Sequence, residues 1–139
     1  MGCTHNGLEF EVTQDATIPF LGRDMTKFNK QHPHEHYETY HFSIPSGEAG
    51  FIAIQVVESA KALWIHEIEV NDKVLEQRKD FGSSFLHYAL KELEKLPNIQ
   101  NYTIRLNGVT DDGKEFFNYY GVLSGINYSK LITKLEEKI

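Results

Sequence analysis

The sequence predicts a single α+β domain in which helices flank a mixed, mostly antiparallel β-sheet. The chain has 139 residues, which is enough for one hydrophobic core and too few for two domains. Segments of strand-like alternation fill its first half, and two helical patterns interrupted by a strand fill its second half. A strand meander followed by crossover helices gives a mixed sheet with helices on its faces.

The first half of the chain shows the patterns of a β-meander with one short helix. Residues 8–12 alternate apolar and charged side chains, and residues 23–30 are predicted to form the helix. Residues 38–44 alternate again before a Pro-Ser-Gly turn at 45–47, and residues 51–57 form a continuous apolar run. Such a run is typical of a central strand that is buried on both faces.

The next predicted strand, residues 63–70, contains an irregularity in its period. Its aliphatic side chains fall at positions 63 and 65 and then at 68 and 70. A period of two would have continued through 67 and 69, and one extra residue near His66 and Glu67 restores the inward phase. The pattern therefore predicts a β-bulge at this point.

The second half alternates predicted helices and strands. Apolar residues between 85 and 96 follow helical spacing, and Pro97 ends that helix. Residues 102–106 are predicted to form a strand, and a helix then runs from the acidic residues after Thr110 to a glycine C-cap at Gly121. Residues 128–135 are predicted to form the last strand, followed by a solvated tail.

Charge and composition exclude several classes of partner. The formal net charge is −6 and basic residues do not cluster, so no nucleic acid is expected as a partner. The one cysteine, Cys3, cannot form an intramolecular disulfide, which fits a reducing compartment. No apolar run approaches 18 residues, so we expect a cytoplasmic protein without a membrane partner. Exposed edge strands would permit a homodimer.

Two further motifs suggest other functions. Residues 108–115 resemble a phosphate-binding P-loop, but Glu115 stands where the Mg²⁺-binding hydroxyl is needed. His32, His34 and His36 would point to one side of an extended chain and could together hold Zn²⁺. Closely spaced imidazoles in a loop are more often solvated, so no metal is expected and zinc binding stays an alternative.

Two segments resemble the motifs of the GNAT superfamily of acyl-CoA-dependent N-acyltransferases, over about residues 40–123. The bulged strand leads into QRKDFGS at 77–83, which is similar to that family's pyrophosphate-binding loop and is followed by an amphipathic helix. The segment TDDGKEFFNYYGV at 110–122 resembles its second motif. Free N–H groups at a helix N-terminus form an anion site, which suits this comparison.

The resemblance implies an N-acetyltransferase that uses acetyl-CoA and an unidentified small-molecule or peptide amine. It makes Glu67 the catalytic base, and the region around the histidines would line the acceptor pocket. The cofactor-binding residues that it implies are Val70, Gln77, Arg78, Lys79, Asp80, Phe81, Gly82, Ser83, Ser84 and Phe117.

The sequence departs from the family pattern at two of these positions. Asp80 occupies a position where the family prefers glycine, and Phe117 occupies that of a proton-donating tyrosine. Tyr119 and Tyr120 follow Phe117 closely but are expected to project elsewhere. The alternative is therefore a catalytically inactive module with the same fold that binds coenzyme A or a protein partner.

Overall fold

The computed structural model describes residues 2–5, 8–14, 24–45, 47–71, 81–107, 111–122 and 124–137. In chain order, its helices and strands are β1 (Gly2–His5), β2 (Leu8–Gln14), α1 (Thr26–Gln31), β3 (Tyr37–Ile44), β4 (Gly47–Val57), β5 (Ala62–Val70), α2 (Phe81–Glu92), β6 (Thr103–Leu106), α3 (Asp111–Tyr119), β7 (Ile126–Asn127) and α4 (Tyr128–Glu136). Short 3₁₀ segments at Glu58–Ala60, Leu93–Lys95 and Ile99–Asn101 connect some of them.

Within the described residues, seven strands form one sheet, in which they lie in the same order as in the chain. Neighbouring strands pair antiparallel except β5 and β6, which are parallel because α2 crosses between them. The predicted fold class, a mixed and mostly antiparallel sheet flanked by helices, is confirmed.

The predicted bulge in β5 is also confirmed. Ile65 pairs with Ile54 and Glu67 pairs with the adjacent Ala53, which leaves His66 as the extra residue. As a result Ile65 and Ile68 share one face of the sheet and Glu67 lies on the other.

Helix α2 packs on the face of the sheet that carries Ile65 and Ile68. The rings of Phe42 and Phe85 stack with centroids 4.0 Å apart, and Phe42 pairs with Gly50 on β4. The predicted helix begins earlier than the apolar pattern, at Phe81, and its α-helical part ends at Glu92 before the 3₁₀ turn. Leu96 is already extended, as a residue before proline is expected to be.

Residues 128–135, predicted to be a strand, form helix α4 instead, so that prediction was wrong. Its buried side chains recur at helical spacing: Tyr128, Leu131, Ile132 and Leu135. The side chain of Asn127 caps the helix by accepting a hydrogen bond from the N–H of Ser129 at 3.0 Å. Only Ile126 and Asn127 are left to pair with β6 as a strand.

Candidate active site

Three elements meet at the end of β5: this strand, the first turns of α2 and the end of α3. A Cβ built on Gly50 would lie 3.0 Å from the Phe85 ring and 2.1 Å from the carbonyl oxygen of Glu69. The absence of a side chain at Gly50 therefore lets the Phe85 ring of α2 lie directly over β4, beside the end of β5. The hydroxyls of Ser83 and Tyr120 are 2.7 Å apart, which brings the end of α3 to the start of α2.

Glu67 is half-buried on the sheet face opposite α2, next to the bulge. Its backbone pairs with Ala53, whose side chain is fully buried. Burial raises the pKa of the Glu67 carboxyl, and the nearby charge of Glu69 raises it further. A carboxylate whose pKa lies above its usual value is a better proton acceptor near neutral pH.

His66, the extra residue of the bulge, is held by side chains from two directions. Its Nε2 lies 2.9 Å from Oε1 of Gln55, and its Nδ1 lies 3.4 Å from Nδ2 of Asn107. Burial lowers the pKa of this imidazole, which favours the neutral form. A neutral ring with its proton on Nε2 can donate to Gln55 and accept from Asn107.

A row of aromatic rings leads from α1 to the bulge. Phe28 lies 4.4 Å from the His32 ring and 5.3 Å from the Tyr37 ring, and Tyr37 lies 5.2 Å from the His66 ring. Asn29 fixes the backbone of Tyr37 from both sides, accepting from its N–H at 2.8 Å and donating to its carbonyl at 2.9 Å. Tyr37, in the predicted acceptor region, therefore lies against His66, the residue before Glu67.

The start of α2 has the donors that an anion requires. A helix leaves its first N–H groups without intrahelical acceptors, and here these belong to Phe81, Gly82 and Ser83. The side chains of Ser83 and Ser84 are buried, so only their backbone N–H groups could serve such a site. Strand β5 ends at Val70, and the N–H of the next residue, Asn71, donates to the carbonyl oxygen of Ala49 at 2.8 Å. The loop residues predicted to bind the cofactor, Gln77–Asp80, lie outside the described residues.

Tyr120 reaches the start of α2, contrary to the prediction that it projects elsewhere. Phe117 is fully buried in the core, and Tyr120 follows it by three residues on the same face of the helix. The helix ends immediately after Tyr119, where Gly121 at φ +76° closes it. Tyr119 is 62% exposed. The three-residue spacing from Phe117 was the signal that could have identified Tyr120.

Of the three histidines that could hold zinc, two contact different carboxylates and His32 stacks on Phe28. His34 pairs with Glu58, whereas Nε2 of His36 lies 3.0 Å from Glu38. In the part of the chain that the structure describes, no group of three metal-ligating side chains converges. None of the described helices is long and apolar enough to cross a membrane.

Comparison with known proteins finds similarity only at the level of structure. No family model matches the sequence, and no curated protein matches it either. A GNAT-family acetyltransferase from Streptococcus pneumoniae TIGR4 shares 16% identity at a TM-score of 0.48, over 81% of this chain and 86% of that one. The ribosomal-protein-S18-alanine N-acetyltransferase from Escherichia coli shares 16% at 0.45, over 80% and 77%.

A third similar structure is the PaiA N-acetyltransferase from Thermoplasma acidophilum in complex with coenzyme A. It shares 19% identity at a TM-score of 0.48, over 68% of this chain and 54% of that one. The fold of this chain is similar to that of GNAT acetyltransferases.

Proposed function

We propose that this chain is an N-acetyltransferase that transfers an acetyl group from acetyl-CoA to an amine. The observation that carries the proposal is the bulge at His66, which sets Glu67 on the face opposite α2 as a half-buried carboxyl of raised pKa. This carboxyl supplies a proton acceptor, and the N-terminus of α2, the next helix along the chain, supplies N–H groups for an anion.

Glu67 acts as the general base in this proposal. It accepts, directly or through a water molecule, the proton that the amine loses as its nitrogen bonds to the acyl carbon and the carbon–sulfur bond breaks. Acetyl-CoA supplies the activated thioester when it is bound. The thiolate that leaves takes a proton from the surroundings, since Phe117 has no hydroxyl to donate one.

Backbone donors position the acyl carrier. The N–H groups at the start of α2 would hold its pyrophosphate, and the N–H of Val70 would face the acyl carbonyl. Positioning and carbonyl polarisation of this kind account for a large share of rate enhancement in acyl transfer, even without a dedicated acid.

A second function is favoured by one observation. Phe117 is fully buried and cannot protonate a leaving thiolate, which fits a module of the same fold that binds coenzyme A or a protein partner without catalysis. The enzyme and a module that binds coenzyme A differ in turnover and agree in the expected affinity for coenzyme A.

Calorimetric titration with acetyl-CoA and with free coenzyme A tests what the two functions share. We expect a dissociation constant of about 100 µM or tighter, about −5.5 kcal/mol. Release of free thiol from acetyl-CoA in the presence of a panel of amines then separates the enzyme from the inactive module. Binding without thiol release for any amine would favour the inactive module. Absence of binding would contradict the enzyme and leave only a module that binds a protein partner.

Glu67→Gln tests the base directly. We expect kcat at neutral pH to fall by about 10²-fold, because general-base catalysis contributes about 10²–10⁴-fold, with the acetyl-CoA dissociation constant changed less than about twofold. Glu69→Gln, two residues along the same face, is the matched control and should keep most of the activity. Equal losses in the two variants would remove Glu67 from the role of base.

The pH profile gives the same residue a second test. Only the ionised carboxylate of Glu67 can accept a proton, so kcat/KM should fall as pH drops through its raised pKa. In Glu67→Gln this acid limb should disappear from the residual activity. An unchanged acid limb in the variant would assign the titration to another group.

A further inference from the structure

We propose that His66 is a positioning residue that fixes the bulge of β5 and thereby the direction of Glu67. This inference rests on the proposed function for its catalytic consequence, although its structural part stands on the contacts of the free protein. It gives a role to a side chain that a sequence pattern alone would assign to packing.

The hydrogen bonds between β4 and β5 do not fix the conformation of the extra residue in the bulge. A side-chain contact is therefore needed to hold that residue in place. Ile65 and Glu67 have partners on β4, whereas His66 lies between two successive rungs. A bulged residue without side-chain contacts could change its backbone angles and take the following residue with it. The imidazole of His66 is therefore the group that can hold the bulge in one conformation.

The contact on the β4 side is itself anchored. Gln55 accepts from Nε2 of His66 through its Oε1, and its Nε2 donates to the carbonyl of Glu35 at 3.3 Å. The backbone of Gln55 pairs with Tyr37 and Trp64 in the centre of the sheet. His66 is thus tied to a strand that is paired on both sides.

The contact on the β6 side closes the last rung between the parallel strands. The N–H of Asn107 donates to the carbonyl of Ile65 at 3.0 Å, and its side chain lies 3.4 Å from Nδ1 of His66. Asn107 therefore contacts both the residue before the bulge and the bulged residue. Together, Gln55, His66 and Asn107 join β4, β5 and the end of β6, and we call these three side chains the bulge clamp.

The consequence for catalysis follows from the position of Glu67, the next residue. Misplacing a reacting group by about 1 Å costs about 10²-fold in rate, because proton transfer requires close alignment. Loss of the bulge clamp should therefore reduce kcat. The anion site at the start of α2 does not depend on these three side chains, so affinity for acetyl-CoA should persist.

Three variants separate the clamp from simple packing. His66→Leu fills similar space but can neither donate nor accept, whereas His66→Gln can do both through its amide. We expect kcat to fall by about 10- to 100-fold in His66→Leu and to recover to within about threefold of wild type in His66→Gln. The acetyl-CoA dissociation constant should stay within about twofold in both. Asn107→Ala removes the contact between Asn107 and Nδ1 of His66 at an exposed position. Asn101→Ala, at another exposed position, is its control.

Amide hydrogen exchange of the free protein tests the clamp without any activity. The Asn107 N–H, bonded to Ile65, should exchange about fivefold faster in His66→Leu and at the wild-type rate in His66→Gln, as expected for about 1 kcal/mol lost from one hydrogen bond.

The outcomes of these two measurements are distinct. Wild-type exchange at Asn107 in His66→Leu would overturn the clamp, and so would a wild-type kcat in that variant. If His66→Leu fails to fold, Asn107→Ala decides, since it should show an intermediate loss of kcat that Asn101→Ala does not show. A wild-type chain that acetylates no amine would overturn the proposed function, and faster exchange at Asn107 would still support the clamp.

Discussion

Glu38 is a buried carboxylate whose interactions predict a measurable dependence of stability on pH. It is 5% exposed, on the α2 face of the sheet, and it accepts hydrogen bonds from Lys95 at 2.7 Å, Tyr40 at 2.9 Å and His36 at 3.0 Å, and also from Gln14. Burial alone would raise its pKa, but the hydrogen bonds from His36, Lys95 and Tyr40 and the charge of Lys95 lower it from 4.5 to about 2.

The size of the effect follows from these two pKa values. Their difference of about 2.5, at about 1.4 kcal/mol for each pKa unit, corresponds to about 3 kcal/mol of stability from ionised Glu38. Because the folded-state pKa is depressed, this stability is present above pH 4.5 and is lost as pH falls toward 2. By pH 3 about 2 kcal/mol of it should be gone.

His36 contributes in the opposite direction. The hydrogen bond to Glu38 raises its pKa above 6.5. Its contribution is therefore complete below pH 6.5 and is lost as pH rises through the folded-state value. The cluster should stabilise the fold most between about pH 4.5 and 6.5.

Urea unfolding of the wild type and of Glu38→Gln, followed by the fluorescence of the single tryptophan Trp64, measures this dependence. At pH 5.5 the variant should be less stable by about 3 kcal/mol, which moves the midpoint by about 1.5 M urea for a slope of about 2 kcal/mol/M. At pH 3 the difference should shrink to about 1 kcal/mol, since other carboxyls titrate alike in both proteins.

Glu48→Gln is the matched control for this measurement. Glu48 also faces a histidine, His41 at 3.7 Å, but its side chain is 67% exposed. A surface pair of this kind contributes about 0–1 kcal/mol, so the control should follow the wild type at both pH values. A difference between wild type and Glu38→Gln that is equal at pH 5.5 and pH 3 would refute the assignment of a depressed pKa to Glu38.

Two further predictions concern the junction of α2 with its neighbours. Tyr120→Phe should weaken acetyl-CoA binding by about 3- to 10-fold, because it removes the hydrogen bond of about 1 kcal/mol that joins Tyr120 to the start of α2. Calorimetric titration with acetyl-CoA measures this loss. The exposed Tyr119 provides the control, since Tyr119→Phe should bind acetyl-CoA as tightly as the wild type. Gly50→Ala should destabilise the fold by about 3 kcal/mol or more, because its Cβ would overlap the Glu69 carbonyl. Gly47→Ala is the control in thermal unfolding, since both glycines have positive φ and a Cβ at Gly47 meets no atom within 4 Å. Equal losses at the two glycines would show that backbone strain, and not the contact, sets the cost.

The sequence predicted features that arise from neighbours along the chain. The aliphatic positions of residues 63–70 identified the bulge because a strand records which face each residue occupies. The apolar spacing of residues 85–96 identified α2, because a helix places every third or fourth residue on the face that it buries. The strand predicted at 128–135 is a helix, because its buried residues recur at helical spacing directly after the short β7.

Contacts between distant segments could not be read in this way. Glu38 accepts hydrogen bonds from Gln14 and Lys95, which lie 24 and 57 residues away in the chain. No local sequence pattern can indicate hydrogen bonds between residues so far apart. Asn107 and Gln55 likewise reach His66 only because β5 lies between β4 and β6. The sequence alone therefore predicts neither of these two clusters.

Glu38 and Glu67 show how one sheet gives two carboxyls opposite properties. Glu38 lies on the α2 face among donors from three segments, which hold its pKa low and keep it ionised as part of the fold. Glu67 lies on the other face, where burial and Glu69 raise its pKa. Groups of the same type whose pKa values are pushed apart are the usual mark of separate structural and chemical roles. Protonation of Glu38 would weaken its hydrogen bonds in the core, whereas the raised pKa of Glu67 suits the general-base role that we propose for it.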